Sequence, residues 1–545
     1  MIRVSVWKFC GGCVCTAILL ATAASTAVAE DDAPLLAKLY WDRSVLRAER
    51  DEVLWLYVED RGNGRPSLTV RLKTPAGVDL LDDAGRKIPA SAWEQQPVYI
   101  GGRRKIPSVL ESHPATRISW RLRSDQPLNG EVQVTVSGDD LAASDALTAV
   151  FREALPSVKA PYVPQPRAVD SERHVGMIYC PLWKPGDHYG WHMMARSMPW
   201  RKPALGWYDE SLAEVTDWEI KWNVEHGVDF LFYCWYRAYG NEGKPVKQML
   251  SHAIHDGLFN ARYGDRIKFC IMWTNTDYSG IASLADLMDN LMPFWMENYF
   301  KRSNYLLIDN KPVLSVYDIR RLIKDLGSNA AVKDALNLMR NACVKEGFDG
   351  LWITGESRHW WPDYLKTMAD CGFDASFAYV WNNVPDGASE KLAHDTILSN
   401  HRKRIEWNLL PDIPTVSAMW DPSLWERYAQ PGRSSAHYHM SPEGFRHVCE
   451  DVKALTDALP ENSLARRMIL VDNWNEWGEG HYLAPCREHG FEYLDVLRQV
   501  FTNAPHEHTD LIPEDVGLGP YETAYGKWLD EIRKTPPPPR RATSP

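Results

Sequence analysis

Residues 467–477 read RMILVDNWNEW: the apolar run Met468–Val471 passes directly into a cluster of Asp, Asn, Glu and Trp. A short apolar run without polar alternation is the pattern of a strand covered on both faces. Seven similar runs precede it: HVGMIYCPLW (174–183), DFLFYCWY (229–236), KFCIMWT (268–274), KPVLSVYD (311–318), GLWITGES (350–357), ASFAYVW (375–381) and TVSAMWD (415–421). Segments of helical period lie between them, such as DESLAEVTDWEIKWNVEHG and SPEGFRHVCEDVKALTDAL. The second opens on Ser441-Pro442-Glu443, a helix cap with proline in the first turn. Eight buried strands, each followed by a helix, predict an α/β fold, a (β/α)8 barrel over residues 174–505. A doubly wound open sheet is the alternative, but no glycine-rich phosphate loop follows any of the runs.

Upstream the texture differs. Residues 33–155 alternate with period two, as in SLTVRLKTPAG, TRISWRLRS and EVQVTVSG, with Gly, Pro and Asp between the runs. That pattern predicts antiparallel strands with one wet face, hence a small β-sandwich without a catalytic grouping. A proline-rich linker (156–173) joins it to the barrel, and a proline-rich tail (534–545) is expected to be extended. The first 29 residues have the form of a secretory signal: Arg3 and Lys8, an apolar stretch, then Ala27-Val28-Ala29 as a small-x-small cleavage site. The mature chain is therefore expected to be exported, periplasmic or extracellular. No later stretch is long and apolar enough to span a bilayer.

The formal net charge of −11 comes without any basic cluster, which argues against a nucleic-acid partner. Seven cysteines remain after the signal, an odd number without a C-x-x-C pair, so neither a disulfide framework nor a zinc ribbon is expected. The 24 tryptophans are the compositional excess, and tryptophan is large and seldom fully buried.

In a (β/α)8 barrel the chemistry sits at the C-terminal ends of the strands. Here those ends carry Tyr179 and Trp183; Trp235 and Tyr236; Trp273 and Asn275; Tyr317; Glu356; Tyr379 and Trp381; Trp420 and Asp421; and Trp474 and Asn475, followed by Trp477, His481 and Tyr482. Aromatic faces stack on the C–H faces of sugar rings, while Asn, Asp and Glu bind hydroxyls. An oligo- or polysaccharide is the partner this lining predicts. Glu476 and Glu479 are the catalytic candidates, because glycoside cleavage commonly uses two carboxyl groups, one to donate a proton and one as base or nucleophile. A neighbouring carboxylate and poor solvation would both hold a proton on one of them near neutral pH. A solvated acidic turn is the competing reading of the same spacing.

The stretch NWNEWGEGHYLAP resembles the N-E-W-x-E-G signature of glycoside hydrolase family 99, the endo-α-mannosidases, and of the related WbsX-like proteins. YCPLW, GVDFLFYCWY, CIMWTN and IDNKPVLSVY resemble the first four strand elements, and GHYLAPCREHGFEYLDVL the WbsX-like ending. The resemblance covers residues 174–502 and leaves out the sandwich. It implies a retaining glycosidase working through a 1,2-anhydro sugar, with Glu476 as base on the substrate 2-hydroxyl and Glu479 as acid, then base. One position departs: Gly478 stands where the mannosidases carry histidine, and His481 follows.

No cofactor or metal is expected. A metal-dependent hydrolase is the first alternative, on His188 and His192 in DHYGWH and on His481; AHYHM and PHEHTD are weaker, and the latter is not an H-E-x-x-H match. A carbohydrate-binding protein on a barrel scaffold and a glycan-assembly role are the others.

Overall fold

The computed structural model of the chain describes residues 35–60, 68–88, 97–98, 115–138, 141–186, 191–276, 279–358, 361–424 and 438–534. The expected signal segment and the tail beyond residue 534 lie outside the described residues. No described helix is long and apolar enough to cross a membrane.

Eight parallel strands form the central sheet: His174–Tyr179, Phe230–Arg237, Lys268–Trp273, Lys311–Val316, Trp352–Glu356, Ala375–Phe377, Thr415–Val416 and Met468–Asn473. Each coincides with one of the eight apolar runs, the second extending one residue past its run to Arg237. In space they follow the order sixth, fifth, fourth, third, second, first, eighth, seventh. The sixth and seventh meet through a parallel bridge between Ser376 and Asp412, where Ser376 N donates to Pro411 O (2.9 Å) and Ile413 N to Ser376 O (2.7 Å). The sheet therefore closes into a barrel, which removes the free edges an open sheet would leave. The first and second strands pack so tightly that a Cβ on Gly176 would stand 2.1 Å from the Phe230 ring. Ser441 Oγ accepts from Gly444 N (3.1 Å) and opens helix Pro442–Asp457, as its cap sequence predicts.

The N-terminal part consists of two five-stranded sheets around their own apolar core, including Leu39, Leu54, Leu56, Val70, Leu122 and Val136. The proline-rich stretch after it is docked on the barrel: Val163 is buried, Tyr162 donates to Asp217 (2.6 Å), and Val169 N to Val224 O (3.0 Å). Beyond the last barrel helix, Glu492–Phe501, the chain turns back over helix Ala213–Glu225, where Trp222 Nε1 donates to Leu511 O (2.9 Å) and Trp218 Nε1 to the Tyr521 hydroxyl (2.9 Å). Arg47 and Arg50 from the sandwich reach the same segment and pair with Asp515 (2.7 and 2.8 Å). All seven described cysteines are buried free thiols.

Candidate active site

The eighth strand ends at Asn473, and a small hairpin follows: Asn475–Glu476 pairs antiparallel with His481–Tyr482 around a single 3-10 turn, Trp477–Glu479. Gly480 closes it at φ +53°, where a Cβ would lie 2.7 Å from the Asp421 carbonyl oxygen, so both conformation and space require glycine. Glu476 thus sits on a paired arm and Glu479 in the turn.

Their surroundings differ. Glu476 is nearly buried and its Oε2 accepts from the Tyr379 hydroxyl and from Asn473 Nδ2 (3.0 Å), with the Cys180 thiol 3.7 Å from Oε1. Glu479 is half-buried, takes a hydrogen bond from Trp420 Nε1 (3.0 Å), and holds its proton up to about 7. Burial is the main cause and the neighbouring Glu476 charge the second; the Trp420 N–H pulls the other way. The backbone fixes this arm as well, with Asp421 N donating to Glu479 O (2.7 Å).

Beneath Glu476 lies a fully buried pair, Asp472 and His481. Asp472 Oδ1 bonds His481 Nε2, and Oδ2 accepts from Ala418 N (2.6 Å) and Met419 N (3.2 Å). His481 Nδ1 stands 3.8 Å from Glu476 Oε2. Burial alone would lower the His481 pKa, but Asp472 and Glu476 outweigh it and raise it to about 10. The imidazole is therefore a fixed cation at neutral pH, placed behind the candidate base.

Of the residues expected from sequence, Tyr236, Tyr317, Trp420 and Asp421 gather around the two glutamates and keep some exposure, while Tyr379 is buried against Glu476. The Tyr236 phenol is pushed up by burial and then by the charges of Cys180, Cys234 and Glu476. Tyr317 packs edge-on to Tyr379 at 6.0 Å and receives an Arg358 N–H.

Several expected sugar contacts are instead covered by protein. Trp235 donates to the Tyr299 hydroxyl (3.0 Å), Trp273 to Ser279 O (3.2 Å) and Trp381 to Thr415 O (3.0 Å), and all three are at most 1 % exposed. Trp183 stacks on Trp191 at 4.2 Å, while Trp477 packs on Tyr482 at 4.3 Å and donates to the Tyr208 hydroxyl. Asn275 ties two loops through Asp318 N and O (2.7 and 2.8 Å), and Asn475 accepts from Cys180 N (2.8 Å). Glu356 is taken by Arg358, whose N and Nε donate to it (2.8 and 3.1 Å). Ten of the described tryptophans are fully buried, so much of the excess is packing. The cause is the barrel itself: indoles fill the wide space between strand ends and helices, and of these ten only the Trp295 N–H lacks an acceptor there.

Trp474 and Tyr179 belong to a second acidic group that sequence reading missed. Trp474 Nε1 and the Tyr179 hydroxyl donate to the two oxygens of Glu219 (both 3.0 Å); Glu210 accepts from Trp183 N (2.8 Å) and meets His252 Nε2 at 2.7 Å. Burial, with Glu210 adding to it, raises Glu219 to about 8. Glu219 lies within a helix of ordinary polar composition and Glu210 in the turn before it, so periodicity carries no sign of either role. Arg201, Asp472 and Asn473 were also missed. The last two stand inside RMILVDNWNEW; Arg201, which pairs with Asp421 and donates to Trp477 O (3.3 Å), has no local signal at all. Of the histidines weighed for a metal, His192 packs against Trp528 at 5.1 Å, His481 is engaged by Asp472, and His188 lies outside the described residues.

Among solved structures, the chain is similar to the family 99 endo-α-mannosidase of Bacteroides thetaiotaomicron, at 16 % identity and TM-score 0.41 over 66 % of this chain and 97 % of that one. It is also similar to a β-D-glucuronidase of Dictyoglomus thermophilum, at 10 % identity and TM-score 0.32 over 86 % and 69 %. Likeness at this level bears on neither activity nor substrate. Among curated proteins it is 24 % identical over 455 residues to "Uncharacterized protein WxcX" of Xanthomonas campestris pv. campestris, covering 74 % of this chain and 60 % of the relative. The WxcX of strain B100 matches at 24 % over 449 residues, with 73 % and 59 % covered. The chain thus spans about 60 % of the length of these curated relatives. Residues 197–497, more than half of the chain and nearly all of the barrel, match the family described as Glycosyltransferase WbsX, and the chain belongs to that family.

Proposed function

We propose that the protein is an exported glycoside hydrolase cleaving α-linked glycans, with Glu479 as acid and then base and Glu476 as base. One observation carries this reading: two carboxyl groups share a strand-end hairpin, and burial beside Glu476 raises Glu479 to about 7. Glu476 has two O–H or N–H donors on one oxygen, an arrangement suited to a carboxylate that accepts a proton.

The family resemblance supplies the steps. Glu476 takes the proton of the substrate 2-hydroxyl while O2 attacks the anomeric carbon; the bond to the leaving oxygen breaks as Glu479 protonates it. Water then adds to the anomeric carbon of the 1,2-anhydro sugar and gives its proton to Glu479. The C1–O2 bond breaks and O2 recovers the proton from Glu476. Configuration is retained, and an α-mannoside has the 2-hydroxyl anti to the leaving group that this requires. Tyr236, Tyr317 and Trp420 supply aromatic faces and Asp421 a hydroxyl partner.

The family's description favours a second reading, transfer to a sugar acceptor. The same two glutamates serve it, because an acceptor hydroxyl replaces water in the second step. The test is release of reducing ends from α-mannans and other α-linked glycans, with and without added acceptor sugars, by wild type, Glu476→Gln and Glu479→Gln. Release lost in both folded variants supports the hydrolase. Products formed only with acceptor support transfer, and release surviving both substitutions overturns the glutamate mechanism.

A further inference from the structure

The stretch PHEHTD (505–510), set aside as a catalytic metal motif, comes to lie against the C-terminal end of helix Ala213–Glu225. There His226, His508 and Asp510 bring one ligand atom each within 4.8 Å of one another. His226 and Asp510 are 0 % and 3 % exposed. Yet Nε2 of both histidines and both carboxylate oxygens of Asp510 lack any hydrogen-bond partner. Leaving four such atoms buried and unsatisfied costs several kcal/mol in an ordinary interior, roughly 1–3 per group.

These groups stand at ion-pair distance without a well-formed hydrogen bond, and Asp495 Oδ1 also lies 3.7 Å from His226 Nε2. His226 Nε2 lies 3.2 Å from Asp510 Oδ1, His508 Nε2 lies 3.6 Å from the same oxygen, and Glu225 Oε2 is 3.4 Å from His508 Nε2. Charge-assisted hydrogen bonds would be about 2.7–2.9 Å long and aligned. Ligands held about 2.0–2.1 Å from a tetrahedral zinc ion stand about 3.3–3.4 Å apart, and these three separations, 3.2, 3.4 and 3.6 Å, scatter around that value. The histidine tautomer also fits. His226 Nδ1 lies 2.6 Å from Trp222 O and must carry the hydrogen to bond it, which leaves the Nε2 lone pair for a metal. A ring N–H held by a backbone carbonyl is the usual support of a metal-binding histidine.

We propose that His226 Nε2, His508 Nε2 and the Asp510 carboxylate bind a structural divalent metal ion of the zinc type, with Glu225 Oε2 at the fourth position. A two-nitrogen, two-oxygen tetrahedral set suits zinc. The ion joins the end of the helix that carries Glu219 to the segment that turns back over it. Asp510 O also accepts from Arg47, so the same point touches the sandwich. The site is apart from Glu476 and Glu479 and supplies no step of the reaction.

The test uses the full chain, purified without chelator from zinc-supplemented medium. Expected are about one zinc per chain by mass spectrometry of metals, a melting temperature lowered by EDTA, and recovery on adding zinc chloride alone. His508→Gln, a partly accessible position, should lose at least about tenfold in bound zinc and the response to EDTA. Glu476→Gln should keep both. Should Asp510→Asn fail to fold, the His508 variant still decides. Wild type without stoichiometric zinc and with no response to added zinc overturns the proposal, and so does zinc retained by His508→Gln.

Discussion

The barrel holds two pairs of glutamates within a few residues' reach of one another through Trp474 and Asn475, and they have opposite fates. Glu210 and Glu219 are sealed, with Trp, Tyr and His groups and backbone N–H on their oxygens. Glu476 and Glu479 border the partly exposed Tyr236, Tyr317 and Trp420. Burial raises Glu219 and Glu479 alike, to about 8 and about 7. A raised carboxyl pKa is therefore not by itself a mark of catalysis. Access for a substrate, and a second carboxyl in a different hydrogen-bond setting, separate the pair proposed to work from the sealed one.

The same isosteric change at both pairs is the strongest way to break this comparison. Glu476→Gln and Glu479→Gln should each lower glycan cleavage by about 10²–10⁴-fold with the melting temperature nearly unchanged. Glu219→Gln should leave cleavage within a few-fold: the acid is neutral at pH 7, and a glutamine can take the Trp474 N–H and donate to the Tyr179 oxygen. Equal losses at positions 219 and 479 would erase the distinction.

Next in size is the buried cation behind Glu476. His481→Ala leaves Asp472 without its partner and should destabilise the fold by about 3–5 kcal/mol in denaturant unfolding. The pH dependence has a definite sign. The folded His481 pKa, about 10, lies above the ordinary value near 6.5, so its contribution is complete below about 6.5 and is lost as pH rises towards 10. The wild-type stability should therefore decline over that window more than that of the variant.

Activity should fall as pH rises past about 7, where Glu479 loses the proton it donates. The smallest effect sharpens the assignment. Trp420→Phe removes an N–H that favours the charged form of Glu479, so the alkaline limb should move up by less than about one pH unit. A downward shift would mean that Trp420 acts by some other route.

The parallel strands were legible because burial on both faces forces continuous apolar runs, and each of the eight runs became a strand. Ser441 and Pro442 marked a helix start by chemistry local to one turn. The glutamate pair was legible because both members lie within one hairpin. The aromatic lining was only partly so: Trp235 shares a strand end with Tyr236 and Trp381 stands two residues from Tyr379, yet Trp235, Trp273 and Trp381 are enclosed by protein. Successive strand residues point to opposite sides, and run composition does not say which side is open.

What this sequence determined by itself is what neighbours in the chain can encode: strand and helix periods, a capped helix, a glycine-closed turn, and two carboxyl groups three positions apart. Tertiary structure alone decided which polar groups meet. Arg201 reaches Asp421, Tyr379 reaches Glu476, and His226 meets His508 across 282 residues of chain (508 − 226), because barrel closure and the returning C-terminal segment bring distant side chains together. Proton affinities followed from that assembly, since burial and neighbouring charge exist only once the chain has folded.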